Sequence, residues 1–143
     1  MKVFIHTDDG VLIEVNPKTK IPRTYKRFSF LMAQLLKKLK IRASTTKEVL
    51  LKIIKNPVVN HLPKSCITFG TSTQARMVKL RKFVTKMPKN GPVAFVIGAV
   101  SKGNPALECD YLDDSICISK YGLSASCAIS KIVNEFEEHW DIE

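Results

Sequence analysis

Phe95-Val-Ile-Gly-Ala-Val-Ser-Lys-Gly103 and Ile116-Cys-Ile-Ser-Lys-Tyr-Gly-Leu-Ser-Ala125 are the two stretches on which the reading of this chain turns. Each is an apolar run of strand length that breaks at glycine. The second leads directly into helical spacing, with Ala125, Ala128, Ile132, Phe136 and Trp140 on one face. Open α/β sheets bind ligands just beyond the carboxyl ends of their strands, where glycine lets the main chain approach closely. A glycine after a buried strand also serves as a plain turn, so spacing alone leaves both readings open.

Working outward, Lys2–Thr7 and Val11–Val15 read as two strands joined by Asp8-Asp9-Gly10, a strong hairpin signal. Phe28, Leu31, Met32, Leu35 and Leu39 recur at three and four, which predicts an amphipathic helix to about Lys40. Thr45 and Glu48 have capping-box spacing, and Leu50, Ile53 and Ile54 supply an apolar face, so a second helix is expected up to Asn56-Pro57. A strand is expected over Ser65–Phe69, ending at Gly70, then a helical segment over Met77–Lys86 and further strands at Pro92–Ile97 and Ser115–Ser119. Strands alternating with helices imply an α/β layer structure with a partly parallel sheet, in a single domain.

The chain has 143 residues, of which 45% are hydrophobic. That suffices for one core, and no apolar run approaches the roughly 20 residues of a membrane span. The start Met-Lys-Val-Phe-Ile-His has no signal-peptide pattern, so a soluble, non-secreted protein with no membrane partner is expected. Cys66, Cys109, Cys117 and Cys127 have no metal-site spacing and read as reduced thiols, with Cys117 and Cys127 expected to be buried.

The net charge of +10 conceals an asymmetry. Residues 1–90 carry 20 Lys+Arg against 4 Asp+Glu, a sum of +16, whereas residues 91–143 carry 3 against 9, a sum of −6. A basic half of that strength suits a phosphate backbone. The densest run is Lys18-Thr-Lys-Ile-Pro-Arg-Thr-Tyr-Lys-Arg-Phe28, where Tyr25 and Phe28 are interleaved with cations. Cations on phosphates with aromatics on unpaired bases is how looped RNA is read. Arg23 and Arg27 are four apart and share a helical face if the helix begins early.

Standard catalytic signatures are absent. Gly98 and Gly103 have P-loop separation, but Asn104-Pro105 follows where a lysine and a hydroxyl are needed. His6, His61 and His139 form no metallohydrolase or serine-hydrolase pattern, and no metal is expected.

Leu12-Ile-Glu-Val-Asn-Pro17, Ile21-Pro-Arg-Thr-Tyr-Lys-Arg-Phe28, Leu51-Lys-Ile-Ile-Lys-Asn-Pro57, Gly70-Thr-Ser72, Phe95-Val-Ile-Gly-Ala99 and Ile118-Ser-Lys-Tyr-Gly-Leu-Ser-Ala125 come in order along nearly the whole chain. Together they resemble the SPOUT-class small-subunit ribosome-biogenesis methyltransferases, which methylate N1 of a pseudouridine in small-subunit ribosomal RNA. The resemblance implies a SPOUT-like α/β sheet with flanking helices and a carboxyl-terminal trefoil knot, S-adenosylmethionine as methyl donor, and a homodimer. It further implies work on pre-ribosomal particles in the nucleolus, or in the cytoplasm of a source without a nucleus.

Carried over position by position, the cofactor contacts fall on Thr71, Gly98, Gly103, Ile118, Ser119, Lys120, Tyr121, Gly122 and Leu123, and the RNA contacts on Lys20, Arg23 and Arg27. Lys120 and Gly122 stand where the family usually has Asn and Pro. The family's amino-terminal strand and helix, with an Arg-Pro-Asp motif proposed to assist catalysis, have no counterpart here. The expectation is an amino-terminal truncation, with the catalytic residue unknown. A non-catalytic RNA-binding assembly factor is the competing reading.

Overall fold

The computed structural model describes residues 1–89 and 91–142 and divides into two compact units, Met1–Leu62 and Pro63–Glu143.

The first unit is a four-stranded antiparallel sheet carrying one helix. β1 (Val3–His6) and β2 (Leu12–Val15) form the expected hairpin, closed by Gly10 N–H donating to Thr7 O at 2.9 Å. α1 (Tyr25–Lys38) follows, then β3 (Lys40–Arg42) and β4 (Val49–Ile54), in the sheet order β1-β2-β4-β3. Ile13, Val15 and Leu51 on the sheet and Leu35 on α1 are all buried in one cluster, with Ile53, Leu31 and Met32 packed against it.

The helix predicted from Thr45 does not exist. Val49–Ile54 is a strand because Val, Leu and Ile there pair with β2 and β3 and alternate across the sheet, with Val15 opposite Leu51 and Ile13 opposite Ile53. Thr45–Glu48 lies instead in the β3–β4 turn: Ala43 N–H donates to Glu48 O, and Lys47 takes a left-handed conformation (φ 56°). Glu14 faces Lys52 across the strands, with their charged ends 2.8 Å apart. That hydrogen bond, outweighing partial burial, holds the Glu14 carboxyl below its ordinary value.

The second unit is a three-stranded parallel sheet with helices. β5 (Ile67–Met77), α2 (Leu80–Val84), β6 (Val93–Val96), β7 (Asp114–Cys117) and α3 (Ala125–His139) follow in order, and β5 lies between the other two strands. Gly70 does not end its strand. β5 runs through it because the missing side chain makes room: a methyl there would lie 2.6 Å from Leu112 Cδ1. The segment expected to be helical over Met77–Lys86 is helical only over Leu80–Val84, since Met77 still pairs with Cys117.

Phe69, Phe83, Val84, Ile116, Ile132 and Phe136 form the core of this unit. The aromatic rings interlock, with Phe69 edge-on to Phe83 (centroids 4.9 Å) and Phe95 edge-on to Phe136 (5.7 Å). Cys117 is buried as expected, but Cys127 is exposed because it falls on the outward side of α3, off the stripe of Ala128, Ile132 and Phe136. Among the described residues, no helix is long and apolar enough to cross a membrane.

Ile116 is 0% exposed. Truncation to Ala should destabilise the protein by about 2–5 kcal/mol, read as a lower denaturant midpoint at unchanged slope. A loss below about 1 kcal/mol would show that this core is not packed around Ile116.

Candidate active site

Two strand exits and an irregular stretch of the central strand meet at one end of the parallel sheet. Gly70 of β5 lies opposite Val96 of β6, and Thr71 lies opposite Ile116 of β7, so Thr71, the Ile97–Gly98 exit and the Ile118 exit are neighbours. β5 then leaves its ladder with β7 and rejoins it at Arg76. Residues 72–75 bulge at this edge, steadied by Ser72 Oγ accepting from Gln74 N–H at 3.1 Å.

Asn104, noted in the sequence only as a departure from the P-loop pattern, joins two of these segments. Its Nδ2 donates to Thr71 O at 3.0 Å, and its Oδ1 accepts from Ala106 N–H at 3.2 Å, capping a short 3₁₀ turn over Pro105–Glu108. Gly98 sits under this link: a methyl on it would lie 2.9 Å from Asn104 Oδ1 and 3.1 Å from Pro105 Cδ. Gly103, just before the link, adopts φ +79°, which a side chain disfavours. The signal in the sequence was Gly103-Asn-Pro105, a cap followed by proline at the first helical position.

The third segment, Ile118–Leu123, runs from β7 to Ser124, whose Oγ caps α3 by accepting from Cys127 N–H. Ile118, Ser119 and Leu123 are half-buried, whereas Lys120, Tyr121 and Gly122 are exposed, Tyr121 by 80%. Among the described residues, no backbone–backbone hydrogen bond ties down Ser119–Leu123; Tyr121 N–H turns to Ser119 Oγ and Ser119 O accepts from the Cys117 thiol. The main chain therefore presents open donors and acceptors between two half-buried apolar side chains. The sheet thus brings together Thr71, Gly98, Gly103 and Ile118, while Tyr121 points outward at the rim of the segment.

Behind this edge, a polar network fastens β5 to the approach to β7. Asp113 Oδ2 accepts from Thr68 N–H at 2.7 Å, and the single proton of Thr68 Oγ1 is shared between Asp113 Oδ2 (2.8 Å) and Tyr111 O (2.6 Å). The backbone bond, then the hydroxyl bond, hold the Asp113 carboxyl below its ordinary value. That stabilisation is present above the ordinary aspartate range and is lost as pH falls through the lowered value. Burial pushes the Tyr111 hydroxyl and the Cys66 thiol upward.

An open hollow of about 760 Å³ lies at the other end of the sheet, lined by Pro63, Ser65, Lys89, Pro92 and Trp140. Pro92 O accepts from Ile67 N–H at the start of β5, which places the hollow at the amino ends of the strands, away from the glycine-bearing exits.

The basic positions lie in the first unit. Lys20, Arg23 and Arg27 are exposed, and among the described residues none of them makes an ion pair, whereas Lys18 is 3.3 Å from Glu48. Arg23 precedes α1 and does not share a helical face with Arg27, because the helix begins at Tyr25 after Thr24. Phe28, placed by the sequence both on the apolar face of the helix and among the interleaved aromatics, is half-buried as the first reading expects; Tyr25 is exposed.

Comparison with solved structures shows the same α/β fold in Archaeoglobus fulgidus Nep1, a protein solved with S-adenosylhomocysteine (TM-score 0.79, 21% identity, 96% of this chain and 62% of that one). The fold is thus that of a Nep1 protein. The model of the EMG1/NEP1 methyltransferase family matches residues 1–137, and the chain belongs to that family. Ribosomal RNA small subunit methyltransferase NEP1 of Candida albicans is 45% identical over 142 residues (99% of this chain, 53% of that protein). The NEP1 of Homo sapiens is 45% identical over 143 residues (99% and 57%). The chain spans a little over half the length of these curated relatives.

Gly98→Ala should lower stability by about 1–3 kcal/mol, because the new methyl meets Asn104 and Pro105. Gly122→Ala, where nothing lies within 4 Å, should stay within about 0.5 kcal/mol of the parent. Equal thermal midpoints for the two variants would contradict the close approach at Gly98.

Proposed function

We propose that this chain is the part of a methyltransferase that binds S-adenosylmethionine and directs its methyl group to N1 of a pseudouridine in small-subunit ribosomal RNA during ribosome biogenesis. The observation that carries the proposal is the convergence of Thr71, Gly98 and the Ile118 exit on one edge of a parallel sheet, in a chain of the EMG1/NEP1 methyltransferase family. The relatives named as small-subunit ribosomal RNA methyltransferases, and the Nep1 solved with the demethylated product, support it.

The residues suit the cofactor's chemistry. An adenine ring needs an apolar slot and main-chain hydrogen bonds. Ile118 and Leu123 are half-buried apolar side chains flanking main chain with unused hydrogen-bonding groups, and Gly98 lets Asn104 and Pro105 pack closely over the neighbouring exit. When bound, S-adenosylmethionine supplies an electrophilic methyl on a sulfonium centre. The chain's own task is alignment: Asn104 fixes the exit after β6 against the backbone of Thr71, so the spacing of these two segments is set before ligand arrives. Lys20, Arg23 and Arg27 draw in the RNA backbone, and the target nucleotide is taken looped out of any helix. The same reading includes a carboxyl-terminal trefoil knot, a homodimer acting on pre-ribosomal particles, and residence in the nucleolus, or in the cytoplasm of a source without a nucleus.

Titration calorimetry of the folded chain should give one site per chain for S-adenosylmethionine and for S-adenosylhomocysteine. Absence of heat with both would sink the cofactor assignment. The exposed cations also favour a second reading, an RNA-binding assembly factor without turnover, which predicts RNA affinity and no methyl transfer. Under either reading, Arg23→Ala with Arg27→Ala should flatten the log–log salt dependence of RNA binding by about 0.7–0.9 per lost phosphate contact. An unchanged slope would remove these residues from the interface.

A further inference from the structure

Tyr25 opens α1 and is 85% exposed, and among the described residues its ring meets no other aromatic ring and its hydroxyl no hydrogen-bond partner. Folding gains little from such a side chain, because burial of its aromatic surface is what would stabilise the protein. The helix would begin as well with a small polar residue. Around Tyr25 on the chain stand Arg23, Lys26 and Arg27, all exposed and, among the described residues, free of ion pairs, and the first turn of α1 holds no acidic residue. An open flat ring amid free cations matches a ligand that joins a planar π-system to closely spaced negative charge. A nucleotide with its base unstacked has that chemistry. An acidic peptide would satisfy the cations and leave the ring unused.

We infer that Tyr25 is a stacking platform for one unpaired base of the bound RNA, with Arg23, Lys26 and Arg27 holding the phosphates on either side. The inference rests on the RNA-binding part of the proposed function and adds a selectivity to it. A ring that stacks on a base face requires that face to be free, so Tyr25 favours a loop or bulge over a continuous duplex, in which both faces of each base are covered.

The test is fluorescence anisotropy of the 143-residue chain with two labelled RNAs, a hairpin with an unpaired loop and a blunt duplex of the stem alone, each at several salt concentrations. Tyr25→Ala should weaken loop binding about ten-fold while leaving the log–log salt slope and the duplex affinity unchanged, since stacking releases no counterions. Tyr25→Phe should bind as the parent does, because the ring and not the hydroxyl makes the contact. Tyr25→Leu, which keeps apolar bulk without a π-face, should behave as Tyr25→Ala. Loop binding by Tyr25→Ala or Tyr25→Leu equal to the parent's would overturn the stacking role while leaving RNA binding intact. Binding of neither RNA by the unsubstituted chain would instead overturn the RNA-binding reading itself, and the platform with it.

Discussion

Parallel pairing of β5 with both of its neighbours is the constraint on which the candidate site depends. Parallel strands end on the same side of a sheet, so β6 and β7, flanking β5, deliver their exits to the same end of the sheet, beside the irregular stretch of β5 after Thr71. Phe69 and Ile116 lock this arrangement from beneath, being buried in one cluster with residues of α2 and α3. An antiparallel partner on either side would send one exit to the opposite edge, where the hollow beside Trp140 lies. Asn104 then converts proximity into fixed geometry by tying the exit after β6 to the backbone of Thr71.

Much of this was legible before any coordinates. The Asp-Gly hairpin, the amphipathic spacing of α1 and α3 and the strand leading to Gly98 are local patterns, and local patterns survive into the fold when the tertiary environment agrees with them. Val49–Ile54 was misread because its apolar residues fit helical spacing as well as strand alternation, and six residues are too few for the period to decide. Pairing on both sides by β2 and β3 settled it, and that pairing joins residues more than thirty positions apart in the case of β2. Gly70 misled for a related reason. A glycine that ends a strand and one that admits Leu112 look identical in sequence.

The candidate site divides along the same line. From residue type alone the glycines were open to two readings, a ligand crevice or a plain turn, and it was the resemblance that singled out particular positions as cofactor contacts. Asn104 was not among them, since its worth lies in reaching Thr71, thirty-three residues away. In the basic segment, composition identified the cations and treated both aromatics alike, and only the helical periodicity set Phe28 apart from Tyr25. The start of α1 at Tyr25 leaves that ring outside and turns Phe28 partly inward.

The four thiols differ in access in a way that experiment can use. Cys127 is exposed four residues beyond Leu123, Cys117 is buried, and Cys66 and Cys109 are half-buried, the first with its thiol also made less acidic by burial. A maleimide dye applied sparingly at neutral pH will therefore modify Cys127 ahead of the rest, since reaction needs both access and thiolate. The fold in this way carries its own attachment point for a reporter beside the loop that follows β7, without any engineered cysteine.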